Sequence, residues 1–141
     1  MILYYIDTCI WLNLFKQEGD PSKGIPYWKI AKEFIDKVGS SNEKHIVYSG
    51  FVLRELEIKL EPLTYAEKRK YLSRFEMVDV NEEDKINARK LESHYNFDIG
   101  FYDLLHLSLC KRLGLILITR DAALMIIAKE QNVAVSKPEN S

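Results

Sequence analysis

Cysteine is scarce in this sequence: Cys9 and Cys110 are the only two in 141 residues. Two thiols cannot staple a chain of this length into a disulfide scaffold, and their spacing matches no zinc-binding pattern. A reduced, cytoplasmic setting is the expectation. An excess of positive charge is missing too. Twenty Lys and Arg stand against 21 Asp and Glu, for a net charge of −1. The global basic footprint that drives non-specific nucleic-acid binding is therefore absent, and an anionic ligand would need a local basic patch or a bound cation. Long apolar runs are lacking. The cleanest stretch, Leu113–Ile118, is interrupted by Gly114 and falls far short of the ~20 residues a membrane span needs. Met1–Asp7 has neither a basic n-region nor a long apolar h-region, so neither a signal peptide nor a membrane partner is expected. No internal repeat and no low-complexity segment occurs.

What is present fits an ordinary folded domain. Hydrophobic residues make up 47% and charged residues 29%, close to globular averages. One domain is expected over residues 1–135, followed by a loose polar tail, 136–141, that contains Pro138. Short apolar runs, Ile2–Ile6, Ile46–Ser49, Met77–Val80 and Leu115–Ile118, read as strands, with Val133–Val135 a possible fifth. Between them lie helical patterns. Trp11, Leu12, Leu14 and Phe15 recur at helical spacing, and Tyr27–Val38 is amphipathic. Phe51–Leu60 is stopped by Pro62 and followed by a charged helix, Tyr65–Phe75. Asn81 caps a helix running to about Asn96, and Phe101–Leu113 ends at Gly114. A last helix runs from Asp121 to about Gln131. Strand–helix alternation predicts an α/β domain with a mainly parallel central sheet and helices on both faces.

In such sheets, sites form at the carboxyl ends of strands. Asp7 directly follows the first predicted strand, and Asp121 follows the fourth through Thr119-Arg120. Either acid alone would be explained as a helix cap; two at the ends of two strands point to a site. Glu55 lies in an otherwise apolar stretch, sharing a helix face with Phe51 and Val52, where a carboxylate is costly unless paired or metal-bound. Asp103 opens a helix that is apolar on nearly every side; the plainer alternative is placement at a helix N-terminus. If the four acids meet, their mutual repulsion calls for a cation. An all-oxygen set suits Mg²⁺ or Mn²⁺ rather than zinc. The three histidines form no cluster in sequence. His106, one turn after Asp103, reads as a packing residue or one at the edge of the site.

Asp7-Thr8 after the first strand, Glu55-Leu56 on a mid-chain helix, Asp103 with Leu104-Leu105-His106-Leu107, and Thr119-Arg120-Asp121 after a strand together resemble the PIN-domain nucleases. Length and layout are most similar to the VapC-type toxins of toxin–antitoxin pairs, from about Ile2 to Val135. The resemblance implies a three-layer α/β/α sandwich and an endoribonuclease in which Asp7, Glu55, Asp103 and Asp121 bind Mg²⁺ or Mn²⁺, supported by Thr119 and Thr8. It also implies an RNA substrate, a small antitoxin partner and a homodimer. Family members often carry Asn or Ser where this chain has Cys9, which bears on the hydrogen bonding around Asp7; Asn13 is a candidate substitute. Trp11, Phe15, Trp28 and Phe51 are candidates either for an antitoxin groove or for the core. Lys68, Arg69, Lys70 and Arg74, with Tyr65 and Tyr71 among them, form either a phosphate-binding strip or a solvated helix face.

Rival readings fare less well. Haloacid-dehalogenase phosphatases need a second Asp two positions after the first, where Cys9 stands. Asp7-Thr8-Cys9-Ile10-Trp11 has no glycine-rich turn for a nucleotide phosphate. The non-enzyme alternative is a PIN-like scaffold that binds RNA or protein without cutting. Retention of all four acids argues against it.

Overall fold

The computed structural model describes residues 1–141. Five strands, β1 (Ile2–Ile6), β2 (Lys44–Ser49), β3 (Glu76–Val78), β4 (Ile116–Ile118) and β5 (Val135–Ser136), form one sheet in the order β3-β2-β1-β4-β5. Every pairing is parallel, with Tyr5 opposite both Val47 of β2 and Leu117 of β4. Seven α-helices surround it: α1 (Thr8–Phe15), α2 (Tyr27–Gly39), α3 (Gly50–Lys59), α4 (Pro62–Leu72), α5 (Glu82–His94), α6 (Phe101–Leu113) and α7 (Ala122–Glu130). None is long and apolar enough to cross a membrane.

Successive residues of a strand point to opposite faces, and β1 shows both covered. Tyr4 meets Phe34 of α2 edge-on at 5.3 Å, while Tyr5 turns the other way to His106 of α6. This is the α/β/α sandwich expected from the strand–helix alternation. The continuous apolar character of Tyr4–Ile6 follows, since no face of the central strand meets water.

Local chemistry sets the element ends. Asn81 and Asp84 form a reciprocal capping box at α5. Gly114 ends α6 in the left-handed conformation at φ 66°. Pro62 differs from expectation: it opens α4 rather than only stopping α3. At the first helical position its missing N–H is no loss, and its fixed φ suits the turn.

The C-terminal segment also departs from the sequence reading. Ser136 belongs to β5, Pro138 is buried, and a 3₁₀ turn at Pro138–Asn140 packs on α2. Glu139 pairs with Arg120 at 2.9 Å, and Lys37 donates to the Ser141 carbonyl. Composition showed the polarity of 136–141; it did not show that α2 offers a surface to receive Pro138.

Candidate metal centre at the sheet's carboxyl edge

The strand order reverses at β1: the chain moves outward through β2 to β3, then returns to the other side of β1 for β4. The crevice at such a switch point is where α/β folds place their sites. Asp7 sits there, its N–H extending the ladder to the Ile118 carbonyl at 2.9 Å. It is buried, as are Glu55 of α3 and His106 of α6. One side-chain donor atom from each of these three lies within 4.8 Å of the other two.

Each group is held from behind. The Asp7 Oδ2 accepts from the Thr119 hydroxyl at 2.8 Å and the Cys9 thiol at 3.2 Å. Those contacts fix the carboxylate while Oδ1 accepts no hydrogen bond; His106 Nε2 is 3.8 Å from it. Cys9 thus does the supporting work of the usual Asn or Ser, whereas Asn13 is turned to Glu18. Burial and the neighbouring Asp7 charge push the Cys9 thiol up to about 12, so it remains a thiol and a donor.

Glu55 is governed by His106. Burial pushes its carboxyl up, but the His106 hydrogen bond and charge, with Thr8 and Lys59, outweigh it and hold it below the usual value. His106 responds in kind: burial pulls it down, and the Glu55 contact and the Asp7 charge raise it above the ordinary imidazole value. The ionised Glu55 has no proton to give, so at 2.7 Å from its Oε1 the His106 Nε2 must be the donor. Thr8 Oγ1 lies 3.3 Å from the same nitrogen. On the ring's far side, Nδ1 meets the Tyr5 hydroxyl at 2.6 Å, and that hydroxyl meets Ser49 Oγ at 2.7 Å. Ser49 in turn caps α3 through the Phe51 N–H. A buried relay from the start of α3 therefore runs through β1 and α6 and back to α3 at Glu55.

His106 is the residue that sequence reasoning undervalued. With its Nε2 proton directed at Glu55, it orients that carboxylate beside Asp7. The available signal was a histidine on an apolar helix whose face already carried Asp103.

Asp103, half-buried at the start of α6, has no ion-pair or hydrogen-bond partner among the protein's cations. Burial first, then the charge of Asp7, with contributions from Asp121 and Glu55, raise its carboxyl to about 6, with His106 opposing. Asp121 is exposed and does two things at once: Oδ1 caps α7 by accepting from Leu124 N–H, and its own N–H donates to Thr119 Oγ1. Thr119 is thus the link between Asp7 and Asp121. Lys59 Nζ, 3.8 Å from Glu55 Oε2, is the one lysine or arginine in ion-pair reach of these four acids.

The expected groove residues divide differently. Trp11 and Phe51 are core, Trp11 stacking on Phe15 at 5.9 Å; Phe15 and Trp28 remain half-buried. Apolar side chains near a helix start gave no cue to which would face inward. In the basic strip, Lys68 lies over the Phe15 ring and Arg74 over Tyr71 at 4.2 Å, while Arg69 and Lys70 are exposed.

The PIN domain family model matches residues 4–130. The chain belongs to the PIN domain family. No curated protein matches this PIN domain by sequence. Among solved structures, it is similar to VapBC2 from Rickettsia felis bound to a promoter DNA fragment, with TM-score 0.72, 17% identity, and coverage of 96% of this chain and 98% of that one. DNA-bound VapBC from Salmonella typhimurium follows at TM-score 0.66 and 17% identity, covering 98% and 99%. VapBC-1 from nontypeable Haemophilus influenzae gives TM-score 0.66 and 18% identity over 97% and 98%. At such identities the likeness is one of fold.

Proposed function

We propose that this PIN domain is a metal-dependent endoribonuclease, the toxin of a VapBC-type pair, with Asp7, Glu55, Asp103 and Asp121 as its metal-binding and catalytic acids and Thr119 and Thr8 as supports. The observation that carries the reading is the unbalanced charge at the crevice. Donor atoms of Asp7 and Glu55 lie within 4.8 Å of one another with a single lysine at the margin, and burial together with the charges of Asp7, Asp121 and Glu55 raises the Asp103 carboxyl to about 6. A protein does not hold acids together in this way at no cost; a divalent cation removes the repulsion. The donors fit a hard ion. Asp7 keeps Oδ1 free, Glu55 keeps Oε2 largely free, and Asp121 uses only one oxygen for its cap. All are oxygens, which suits Mg²⁺ or Mn²⁺.

Bound there, such a cation supplies an acidified water and charge neutralisation at the phosphoryl oxygens. The chain's own residues do the rest. Thr119 and Cys9 orient Asp7, and His106 holds Glu55 ionised and fixed. Asp103, with no cation of the protein beside it, would offer its carboxylate to the metal. Thr119 also ties the Asp7 carboxylate to the N-terminus of α7, so that Asp7 and Asp121 keep a set separation. The VapBC likenesses, each a toxin–antitoxin assembly or its DNA complex, support a small antitoxin partner and a homodimer as parts of the same reading. The test is cleavage of RNA with Mg²⁺ or Mn²⁺. Cleavage by the native chain, lost in EDTA and in Asp7→Asn, is expected; cleavage that persists in EDTA or in Asp7→Asn refutes it.

A further inference from the structure

Beside the acidic crevice lies an open cleft of about 390 Å³, walled by α3 and α6. Phe51 and Leu105 form its buried floor, the half-buried rings of Phe101 and Tyr102 one side, and Arg54 and Lys85 its rim. It shares both walls with the crevice. Glu55 is one turn along α3 from Phe51, and Asp103 directly follows Tyr102. No carboxylate lines it, which sets it apart from the acids next door.

We propose that this cleft is a nucleobase subsite, taking one unstacked base of a single-stranded RNA next to the phosphate held at the acids. The proposal rests on the ribonuclease reading above and adds to it where the substrate lies. Two observations favour a base over other occupants. Two aromatic rings, with centroids 6.5 Å apart and planes at 61°, present π surface beside an apolar floor, the surroundings in which bases stack without sequence preference. Arg89 covers one face of Phe101, its guanidinium 3.7 Å from the ring centroid, so Tyr102 is the ring a base would stack on. The rim carries two cations, each in a solvated pair with a glutamate. Arg54 is paired with Glu57 only at 3.5 Å with 67% of its side chain exposed, and Lys85 with Glu82 at 3.2 Å with 50% exposed. Such solvated pairs exchange readily for a phosphate. An apolar, aromatic slot with two cations at its rim matches the apolar face and charged backbone of a nucleotide, and its volume falls in the roughly 300–1,000 Å³ typical of small-ligand sites.

The experiment uses the full chain and a fluorescent single-stranded RNA that carries one 4-thiouridine for photocrosslinking. Binding is read by anisotropy in an Asp7→Asn background, and KM and kcat are read with Asp7 intact and Mn²⁺ present. Tyr102→Ala is expected to weaken binding about ten-fold, the scale of one lost base–aromatic stack, and to raise KM with kcat little changed. Tyr102→Trp is expected to restore binding. Crosslinks should fall on the segment containing Phe101 and Tyr102. An RNA with an abasic position should bind the parent chain as weakly as the intact RNA binds Tyr102→Ala. If Tyr102→Ala fails to fold, Arg54→Ala with Lys85→Ala, both exposed, should weaken binding and flatten its salt dependence. Unchanged affinity in the variants, or crosslinks elsewhere, overturns the subsite. So does a Tyr102→Ala chain that changes from dimer to monomer with its RNA affinity per subunit intact, which would make the cleft a contact between copies. A native chain that neither binds nor cuts RNA overturns the ribonuclease reading, and the subsite with it; a native chain that cuts, with Tyr102→Ala equally active, overturns the subsite alone.

Discussion

Replacing Asp103 by Asn should make the metal-free protein more stable at neutral pH. The native carboxyl titrates near 6, against an ordinary value of 3.8, with burial and the charge of Asp7 as the main causes. Below about pH 4 the carboxyl is protonated in both native and unfolded chains and contributes nothing to the difference. Between about 4 and 6 the unfolded chain releases a proton that the native one retains, so stability falls as pH rises. Above about 6 both forms are ionised and the penalty is complete. A shift of roughly two pKa units corresponds to roughly 3 kcal/mol, and partial exposure of the side chain reduces this to about 1–3 kcal/mol. For a domain of this size that is a rise in Tm of roughly 3–10 °C for Asp103→Asn in EDTA at pH 7.5. The gain should shrink as pH is lowered through 6 and vanish near pH 3.5. Saturating Mn²⁺ should reverse the order, because the native chain gains from a bound ligand while the variant has lost a donor. The assay is a pair of melting series, with and without Mn²⁺, from pH 3.5 to 8. An Asn variant that melts below the parent in EDTA at pH 7.5, or by a pH-independent difference, would refute the reasoning.

Two further expectations concern groups that hold the site and the fold. His106→Ala leaves Glu55 Oε1 buried without its donor, so it should lower stability by about 1–3 kcal/mol in urea unfolding, with His106→Gln recovering part of the loss. Arg112→Ala removes a bidentate partner from the fully buried Asp84, contacted at 2.8 and 2.9 Å. A loss of about 2–4 kcal/mol is expected, and adding Asp84→Asn should return part of it.

The architecture was legible because it is written in short-range pattern. Buried parallel strands read as unbroken apolar runs, and several helix ends have a local chemical cause, as at Asn81 and Gly114. Asp7 and Asp121 were legible as strand-end acids because topology alone places such ends on one edge. What was not legible is how side chains from distant segments face each other. His106 reaches Tyr5 and Glu55 across separations of 101 and 51 residues, and no local window distinguishes that histidine from an ordinary packed one. The same limit explains Trp11 and Phe51. Their neighbours are apolar whether they face the core or a groove, and for Trp11 it is the packing of Tyr71 and Phe75 against its ring that decides the matter.

The central place of β1 has a consequence for how the chain acquires its shape. Ile2–Tyr5 pair with Lys44–Val47 on one flank, but on the other flank Tyr4–Ile6 wait for Ile116–Ile118. During synthesis the central strand therefore spends most of the elongation time with an open flank, and closing it requires a contact of very long sequence separation, which is slow. A polypeptide halted before Leu115 would present a bare, uncharged backbone ladder to its surroundings and should self-associate through it.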